Sequence, residues 1–138
     1  MARRSSDEQA EHDRVVRLLA RQRFPQETCR VVINPGDQRN RGLTYTTRSC
    51  RRRTVYPDIV ALLAPGTELC AVGEVETAST VTPAAVTHWR LLAQHAPRLY
   101  LFVPLASAEA AKGLVEGIAN VQLRTYRLHG DCIIVGET

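Results

Sequence analysis

The sequence lacks any apolar run close to the roughly 20 residues that a membrane-spanning helix requires. Its first stretch, MARRSSDEQAEHDR, contains no apolar segment of the kind found in a signal peptide. The 138 residues are 44% hydrophobic and 23% charged, which is ordinary for a globular protein. We therefore predict a cytoplasmic protein with no membrane partner, folded as one domain over residues 1–138.

Cysteine motifs for metal binding are also missing. Cys29, Cys50, Cys70 and Cys132 lie far apart in the chain and form no Cys-x-x-Cys pair, which argues against a zinc site or a disulfide framework. With only four histidines in the chain, a zinc enzyme is also not expected. We interpret the cysteines as reduced thiols that serve as small apolar residues.

Lysine is nearly absent, since Lys112 is the only one, and the net charge of +4 comes from arginine. The segment between Gln38 and Tyr56 has no acidic residue and contains six arginines: Arg39, Arg41, Arg48, Arg51, Arg52 and Arg53. Such a block indicates either a solvated loop or a surface that contacts phosphate groups.

Hydrophobic periodicity predicts an α/β domain with the order helix, three strands, helix, strand, helix and one or two strands. The first helix runs from Ser6 or Asp7 to about Gln22, with Val15, Leu18, Leu19 and Glu11 toward one face. Residues 38–53 form either a long loop or the outer part of a hairpin. Strands are predicted at 28–33, 55–63, 68–77, 98–105, 121–128 and 132–135, and helices at 82–96, with Trp89 in its core stripe, and 107–118.

Three acids interrupt two of these apolar strands. Glu74 and Glu76 are two residues apart and therefore share one face of their strand. A plain two-residue turn at Pro65-Gly66 would pair Asp58 with Gly73 and send the aspartate to the opposite face. We predict that a three- or five-residue connection or a β-bulge corrects the register and brings the three carboxylates together.

Carboxylates on one face repel one another and raise each other's pKa unless a cation is present. Oxygen ligands at this spacing suit Mg²⁺ or Mn²⁺, which also bind the phosphate oxygens of a substrate. Another interpretation stays open, because acids near strand ends are often solvated and Glu74 and Glu76 can pair with arginines instead.

The sequence contains Pro57-Asp58, then a hairpin that ends in Glu74-Val75-Glu76, and after it a helix and a buried strand. This arrangement resembles the PD-(D/E)XK nuclease superfamily. That superfamily includes restriction endonucleases and Holliday-junction resolvases, and the resemblance covers about residues 8–105. It implies a mixed central β-sheet flanked by helices, with an αβββαβ core. It further implies that Asp58 and Glu74 bind a catalytic Mg²⁺ or Mn²⁺, assisted by an acid of the first helix, Glu11 or, second, Glu8.

The sequence departs from the family at one position, where Glu76 replaces the motif lysine. Some type II restriction endonucleases carry glutamate there and use it as a base or as a ligand for a second metal. The resemblance therefore implies a metal-dependent nuclease acting on nucleic acid, with DNA as the expected substrate and Asp58, Glu74 and Glu76 as catalytic residues. The six arginines would contact the backbone of the substrate, and a homodimer is expected because small relatives commonly act as dimers.

An alternative function keeps the same fold without catalysis. In that case the missing lysine marks a module that binds nucleic acid or another protein and has lost nuclease activity.

Overall fold

The computed structural model describes residues 4–22 and 29–137. Within these ranges the chain forms three α-helices and eight strands. The helices are α1 (Ser6–Gln22), α2 (Val86–His95) and α3 (Ala108–Val115). The strands are β1 (Cys29–Ile33), β2 (Leu43–Thr46), β3 (Arg52–Val55), β4 (Ile59–Leu63), β5 (Leu69–Val75), β6 (Leu99–Pro104), β7 (Val121–His129) and β8 (Cys132–Glu137).

Six of the strands form one mixed sheet in the order β1-β4-β5-β6-β7-β8. Strand β4 is antiparallel to β1 and β5, β6 is parallel to β5 and β7, and β8 is antiparallel to β7. The remaining pair, β2 and β3, forms a separate antiparallel hairpin. The predicted α/β domain with a mixed sheet is therefore confirmed at this level. No helix in the described ranges is both long and apolar enough to cross a membrane.

The helices cover the two faces of the sheet. Helix α1 packs on the face that carries Ile59 and Val75, whereas α2 and α3 pack on the face that carries Val72 and Leu101. Strand β6 is buried on both faces, as its continuous apolar sequence predicts. Trp89 on α2 is fully buried, which confirms the prediction that it belongs to the core.

The predicted inward position of Glu11 on the first helix is wrong. Glu11 is exposed, and the buried stripe of α1 contains His12, Val15, Val16 and Leu19 instead. These four positions follow the i, i+3, i+4, i+7 spacing of one helix face, and Glu11 lies beside it. The helix therefore buries a histidine where an acid was expected.

The arginine-rich segment forms a hairpin, so five strands separate α1 and α2 instead of the three that were predicted. The predicted strand 55–63 is divided at Pro57, which has no N–H to donate to a sheet. Val55 pairs with Leu43 in the hairpin, and β4 begins only at Ile59. Residue 28 of the predicted first strand lies outside the described residues.

The β4–β5 hairpin contains the predicted bulge. Near the turn Leu62 pairs with Leu69, which is the register that a plain two-residue turn gives. One step further Ala61 pairs with Ala71, so Cys70 is the additional residue on β5.

This bulge decides which way Asp58 points. Ile59 pairs with Gly73, and the residue before it, Asp58, is therefore level with Glu74 instead of Gly73. The aspartate and the glutamate consequently lie side by side at one end of the two strands. The prediction that a register correction brings these acids together is confirmed.

All four cysteines are free thiols, as predicted. The sulfur atoms of Cys29 and Cys70 lie 3.7 Å apart, and both side chains pack against the core beneath α1. Cys50 and Cys132 are exposed, so only the first two serve as small apolar residues.

Asn34 holds the segment before β4 in place. Its side chain is 4% exposed, and its Nδ2 donates to the carbonyl oxygens of Arg41 and Pro57, both at 2.7 Å. Its Oδ1 accepts from the backbone N–H groups of Asn40 at 2.7 Å and Arg41 at 3.0 Å. The backbone N–H of Asn34 donates to the carbonyl of Asp58 at 2.9 Å. One buried amide therefore joins β1, the arginine-rich segment and the residue that enters the site.

Replacement of Asn34 by alanine is expected to lower the free energy of unfolding by about 2 kcal/mol or more, because several buried backbone groups lose their partners. Urea denaturation measures this loss. The control is Gln94→Ala, which removes an exposed amide on α2 and should change stability by about 0.5 kcal/mol or less. Equal stabilities of the two variants would contradict the role assigned to Asn34.

Candidate active site

The candidate site lies where β5 ends, near the first turns of α1 and α2. A pocket of about 270 Å³ opens there. The structure brings the three predicted acids, Asp58, Glu74 and Glu76, together in its wall. The other residues that line it are Arg4, Thr80, Thr82, Ala85 and His88.

Asp58 and Glu74 fix each other through the backbone. The N–H of Asp58 donates to Oε1 of Glu74 at 2.9 Å, and the N–H of Val75 donates to Oδ2 of Asp58 at 2.8 Å. These two bonds cross between β4 and β5 in opposite directions. Each carboxylate is therefore held in one orientation by the strand that carries the other.

His88, on the first turn of α2, contacts the second oxygen of Glu74. Its Nε2 lies 3.2 Å from Oε2 of Glu74. The contact with Glu74 raises the pKa of His88 and outweighs the opposing effect of burial. Helix α2 therefore places a basic group beside Glu74 on one side of the pocket.

His12, on α1, lies beneath Asp58. Its ring is 4% exposed, with Nε2 3.0 Å from Oδ2 of Asp58 and Nδ1 2.9 Å from Oδ1 of Asp13. The Nε2 contact has the distance of an ion pair, but the direction of the N–H is not that of a hydrogen bond. Burial lowers the pKa of His12, yet the two carboxylates outweigh it and raise the pKa above its usual value. His12 therefore links Asp58 to α1.

Asp13 completes this link between α1 and the sheet. Its Oδ1 also accepts from Nε2 of Gln9 at 2.9 Å and from the N–H of Gly36 at 3.0 Å. Burial raises the pKa of Asp13, but the contacts with His12, Gly36 and Gln9 outweigh it and lower the pKa. Asp13 is thus held as an anion behind the histidine.

Arg4 brings a guanidinium group into the pocket. Its Nη2 lies 3.9 Å from Oε1 of Glu76 and donates to the carbonyl of Val75 at 3.1 Å, while its Nε donates to Oγ1 of Thr77 at 3.2 Å. The side chain is 19% exposed. Arg4 therefore partly balances the charge of the acids from the side opposite α2.

Glu8 is the acid of the first helix that reaches this end of β5. Its Oε2 accepts from Oγ of Ser79 at 2.6 Å and from Oγ1 of Thr77 at 2.7 Å, and these bonds lower the pKa of Glu8. Glu11, the first choice from the sequence as a metal ligand, is exposed and does not line the pocket. Helix α1 reaches the strand through Glu8 and His12.

The pocket is electrostatically unfavourable for three ionised carboxylates. Burial and then the charge of Asp58 raise the pKa of Glu74. Burial and then the charge of Glu74 raise the pKa of Glu76 to about 8, against the partial relief that Arg4 provides. The acids therefore favour an additional positive charge or an additional proton.

The donor set fits a hard divalent cation in its chemistry. Within residues 4–22 and 29–137, no three His, Cys, Asp or Glu side chains are already arranged around a common metal position. Three carboxylates nevertheless line one pocket, and oxygen atoms are the ligands that Mg²⁺ and Mn²⁺ prefer. The guanidinium of Arg4 lines the same pocket and already provides part of the positive charge that such an ion would bring. Asp58 and Glu74 are the residues that would hold the ion, and Glu76 lies beside them in the same wall.

The six predicted arginines lie apart from the acids, and none of them lines the acidic pocket. Arg41 is half-buried, and its guanidinium donates to the carbonyl of Thr67 at 3.4 Å. The other five are exposed: Arg39, Arg48, Arg51, Arg52 and Arg53. Four of these five belong to the β2–β3 hairpin and its turn.

His12, His88 and Arg4 were not predicted from the sequence. His12 lies on the apolar stripe of α1. A polar residue among the expected core positions of a helix is a signal that could have identified it. His88 and Arg4 carry no such pattern, because only the packing of distant segments brings them to β5.

Comparison of the chain with known protein families, with curated proteins and with solved structures finds no match. The PD-(D/E)XK resemblance therefore rests on the residues and the order of elements in this chain.

Replacement of Glu76 by glutamine is expected to stabilise the metal-free protein at high pH. The folded-state pKa of about 8 lies above the value of about 4.3 for an unfolded chain, so the folded protein binds more protons between these values. The wild type therefore loses stability as the pH rises through this window, and Glu76→Gln does not lose this contribution.

Urea denaturation in EDTA at about pH 5 and pH 8 measures the effect. The stability difference between Glu76→Gln and wild type should increase by about 2 kcal/mol or more between the two conditions. Glu68→Gln, at an exposed acid, is the matched control and should show no such increase. If the stability difference between Glu76→Gln and wild type is the same at both pH values, the pKa of Glu76 is not raised in the folded protein.

Proposed function

We propose that the protein is a divalent-metal-dependent nuclease that hydrolyses phosphodiester bonds in DNA. The observation that carries this proposal is the pocket at the end of β5, where Asp58, Glu74 and Glu76 converge beside Arg4. Buried acids with raised pKa values, next to a cation and in a cleft, are typical of sites that bind a metal or perform proton transfer.

The order of elements supports the PD-(D/E)XK resemblance. With the β2–β3 hairpin set aside as an insertion, the chain follows the order α1, β1, β4, β5, α2 and β6. Strands β1, β4 and β5 are antiparallel neighbours, and β6 returns parallel to β5 after the helix. This order corresponds to the αβββαβ core that the resemblance implies. We therefore assign Asp58 to the start of its second strand and Glu74 and Glu76 to the end of its third strand.

Asp58 and Glu74 are assigned to hold Mg²⁺ or Mn²⁺. A bound ion of this kind polarises a phosphodiester and lowers the pKa of a water molecule. Their carboxylates already have fixed orientations, because each accepts a backbone N–H from the neighbouring strand. His12 and His88 are positioning residues that hold the side chains of Asp58 and Glu74 in place.

Arg4 and Glu76 are assigned to the phosphate and to the attacking water. The guanidinium of Arg4 lies 3.9 Å from Glu76 and supplies the cation that the motif lysine provides in the resembling family. Arginine binds phosphate oxygens through several donors, so Arg4 stabilises charge that develops on the phosphate. Glu76 lines the same pocket, and with a cation bound beside it its carboxylate is suited to accept a proton from the attacking water.

A second candidate function is a DNA-binding module without catalysis. The observation that favours it is that oxygens of Asp58 and Glu74 already accept backbone N–H groups, which also gives these acids a role in joining β4 to β5. This function requires the exposed arginines and no divalent ion. The cleavage experiment below separates the two candidates.

We also propose a homodimer, in which two pockets serve the two strands of a duplex. Sedimentation equilibrium determines whether the chain of 15.3 kDa associates.

Purified protein is expected to cleave DNA in the presence of Mg²⁺ or Mn²⁺ and not in EDTA. Glu74→Gln and Asp58→Asn should each lower the rate by at least about 100-fold, because each removes charge that would hold the ion. Glu109→Gln, at an exposed acid on α3, is the matched control and should cleave at the wild-type rate. Gel electrophoresis of labelled duplex, single-stranded and branched DNA measures the products.

Failure of the wild type to cleave all three substrates would contradict the nuclease proposal. Salt-sensitive DNA binding in EDTA that survives Glu74→Gln would then support the non-catalytic module.

Arg4→Ala is expected to lower the cleavage rate at saturating substrate by about 100-fold, because it removes a donor that stabilises developing charge. Arg4→Lys should recover part of this rate, since it keeps a positive charge. Arg17→Ala, at an exposed arginine on α1, is the control and should cleave like the wild type. Equal rates for Arg4→Ala and Arg17→Ala would show that Arg4 takes no part in the reaction.

A further inference from the structure

A second groove lies at the opposite end of β5 and α2 from the acidic pocket. Its volume is about 650 Å³, and it shares no lining residue with that pocket. One wall is the base of the β2–β3 hairpin, including Thr44 and Thr54, and the opposite wall contains Leu69 and His95. Tyr56 and Arg41 also line it. The groove is therefore formed where the hairpin meets the main sheet and α2.

Aromatic rings lie in and beside this groove. Tyr56 is 39% exposed, which is unusual for a large apolar ring, and the guanidinium of Arg39 lies 5.4 Å from the centre of that ring. Tyr45 stacks on His95 with the ring centres 4.5 Å apart and an angle of 21° between the planes. Aromatic faces accompanied by arginine are the surface on which unpaired bases stack.

Gly42 sets the position of Tyr56. A Cβ atom at Gly42 would lie 2.4 Å from Cγ2 of Thr54 and 3.1 Å from Cε1 of Tyr56. The backbone of the hairpin therefore approaches both side chains more closely than any other residue type would allow. This contact supports the tyrosine ring from the hairpin side.

The surface around the groove carries little negative charge. The hairpin segment between Gln38 and Tyr56 contains no acid, and neither does the segment between Glu76 and Glu109, which includes all of α2. Glu68, in the β4–β5 turn, is the acid beside the groove in sequence. Arg41 lines the groove, and exposed arginines lie on the hairpin that forms one of its walls. Such a surface attracts a phosphate backbone.

Helix α2 connects the groove to the acidic pocket. His88 lines the pocket and His95 lines the groove, seven residues apart on the same helix. Two turns place them on one face, separated by about 10 Å along the axis. DNA advances about 3.4 Å per nucleotide along a duplex, and an extended unpaired strand advances further, so about three nucleotides or fewer cover this distance.

We propose that the groove is a subsite for an unpaired DNA strand, so that the substrate carries a single-stranded end or flap next to the cleaved bond. Bases of the unpaired segment stack on Tyr56 and on the Tyr45–His95 pair, while arginines of the hairpin contact its phosphates. The position of this subsite, within about three nucleotides of the cleaved bond, rests on the proposed nuclease function. Duplex DNA does not use the same faces, because its bases are already stacked.

Fluorescence anisotropy in EDTA tests the subsite without cleavage. The probes are a short labelled single strand of thymidines and a labelled duplex of the same length. Tyr56→Ala should weaken binding of the single strand by about 5- to 150-fold and should change binding of the duplex by less than about twofold. Tyr56→Phe keeps an aromatic face and should bind both probes like the wild type.

The salt dependence of binding distinguishes base stacking on Tyr56 from contacts between arginines and phosphate groups. Tyr56→Ala should leave the slope of log affinity against log salt unchanged for the single strand, because it releases no counterion. Arg52→Ala, in the hairpin, should reduce that slope by about 0.7. The matched control is Arg127→Ala, at an exposed arginine of β7, which should leave the slope unchanged.

Two results would overturn the subsite. One is a wild-type protein that does not bind the single strand, and the other is a Tyr56→Ala variant that binds both probes like the wild type or loses both equally. A protein that shows the Tyr56 effect but cleaves no DNA refutes the nuclease proposal and leaves the subsite in place. Conversely, cleavage that depends on Glu74 without a Tyr56 effect refutes the subsite alone.

Discussion

The bulge at Cys70 determines which side chains meet at the end of β5. Side chains of a strand alternate between its faces, so a shift of one residue in register moves every one of them to the other face. Without the extra residue Asp58 would lie level with Gly73, but with it the aspartate lies level with Glu74. The N–H of Asp58 can then donate to the carboxylate of Glu74, and the N–H of Val75 can donate to the carboxylate of Asp58. The location of the whole site thus depends on one irregularity at the far end of the same hairpin.

Asp58, Glu74 and Glu76 repel one another where they converge. Basic side chains from separate segments of the chain reduce this repulsion. Asp58 lies against His12 on α1, Glu74 against His88 on α2, and Glu76 against Arg4 before α1. Each acid has one basic partner, and each partner comes from a different position in the chain. The raised pKa values of Glu74 and Glu76 show that these partners do not fully balance the charge. Docking of both helices against the sheet is therefore coupled to the ionisation of the site.

The features that were predictable from the sequence are those that local rules determine. Period-two alternation placed Glu74 and Glu76 on one face, and turn geometry required the register correction for Asp58. The hairpin was left open because the strand pair is short and mostly exposed, so β3 has no buried face to give a hydrophobic pattern. The contacts of Arg4 and His88 depend on segments separated by many residues, and no local rule predicts them. Glu11 was misplaced because a helix stripe is broad enough that neighbouring positions at its edge are hard to separate.

The separation of acids from arginines has a consequence for how DNA would approach. Phosphate groups and the carboxylates of Asp58, Glu74 and Glu76 repel each other, so the acidic pocket by itself opposes a bound backbone. The arginines of the hairpin attract the same backbone, and their attraction does not require a divalent ion. Because the arginines lie on the hairpin and not in the lining of the acidic pocket, a strand held at the hairpin would be presented to the pocket without entering it. Positive charge at the acids, from Arg4 and from a bound cation, then decides whether the phosphate approaches them. In the proposed nuclease, binding and cleavage would therefore depend on different groups of residues in the same small domain.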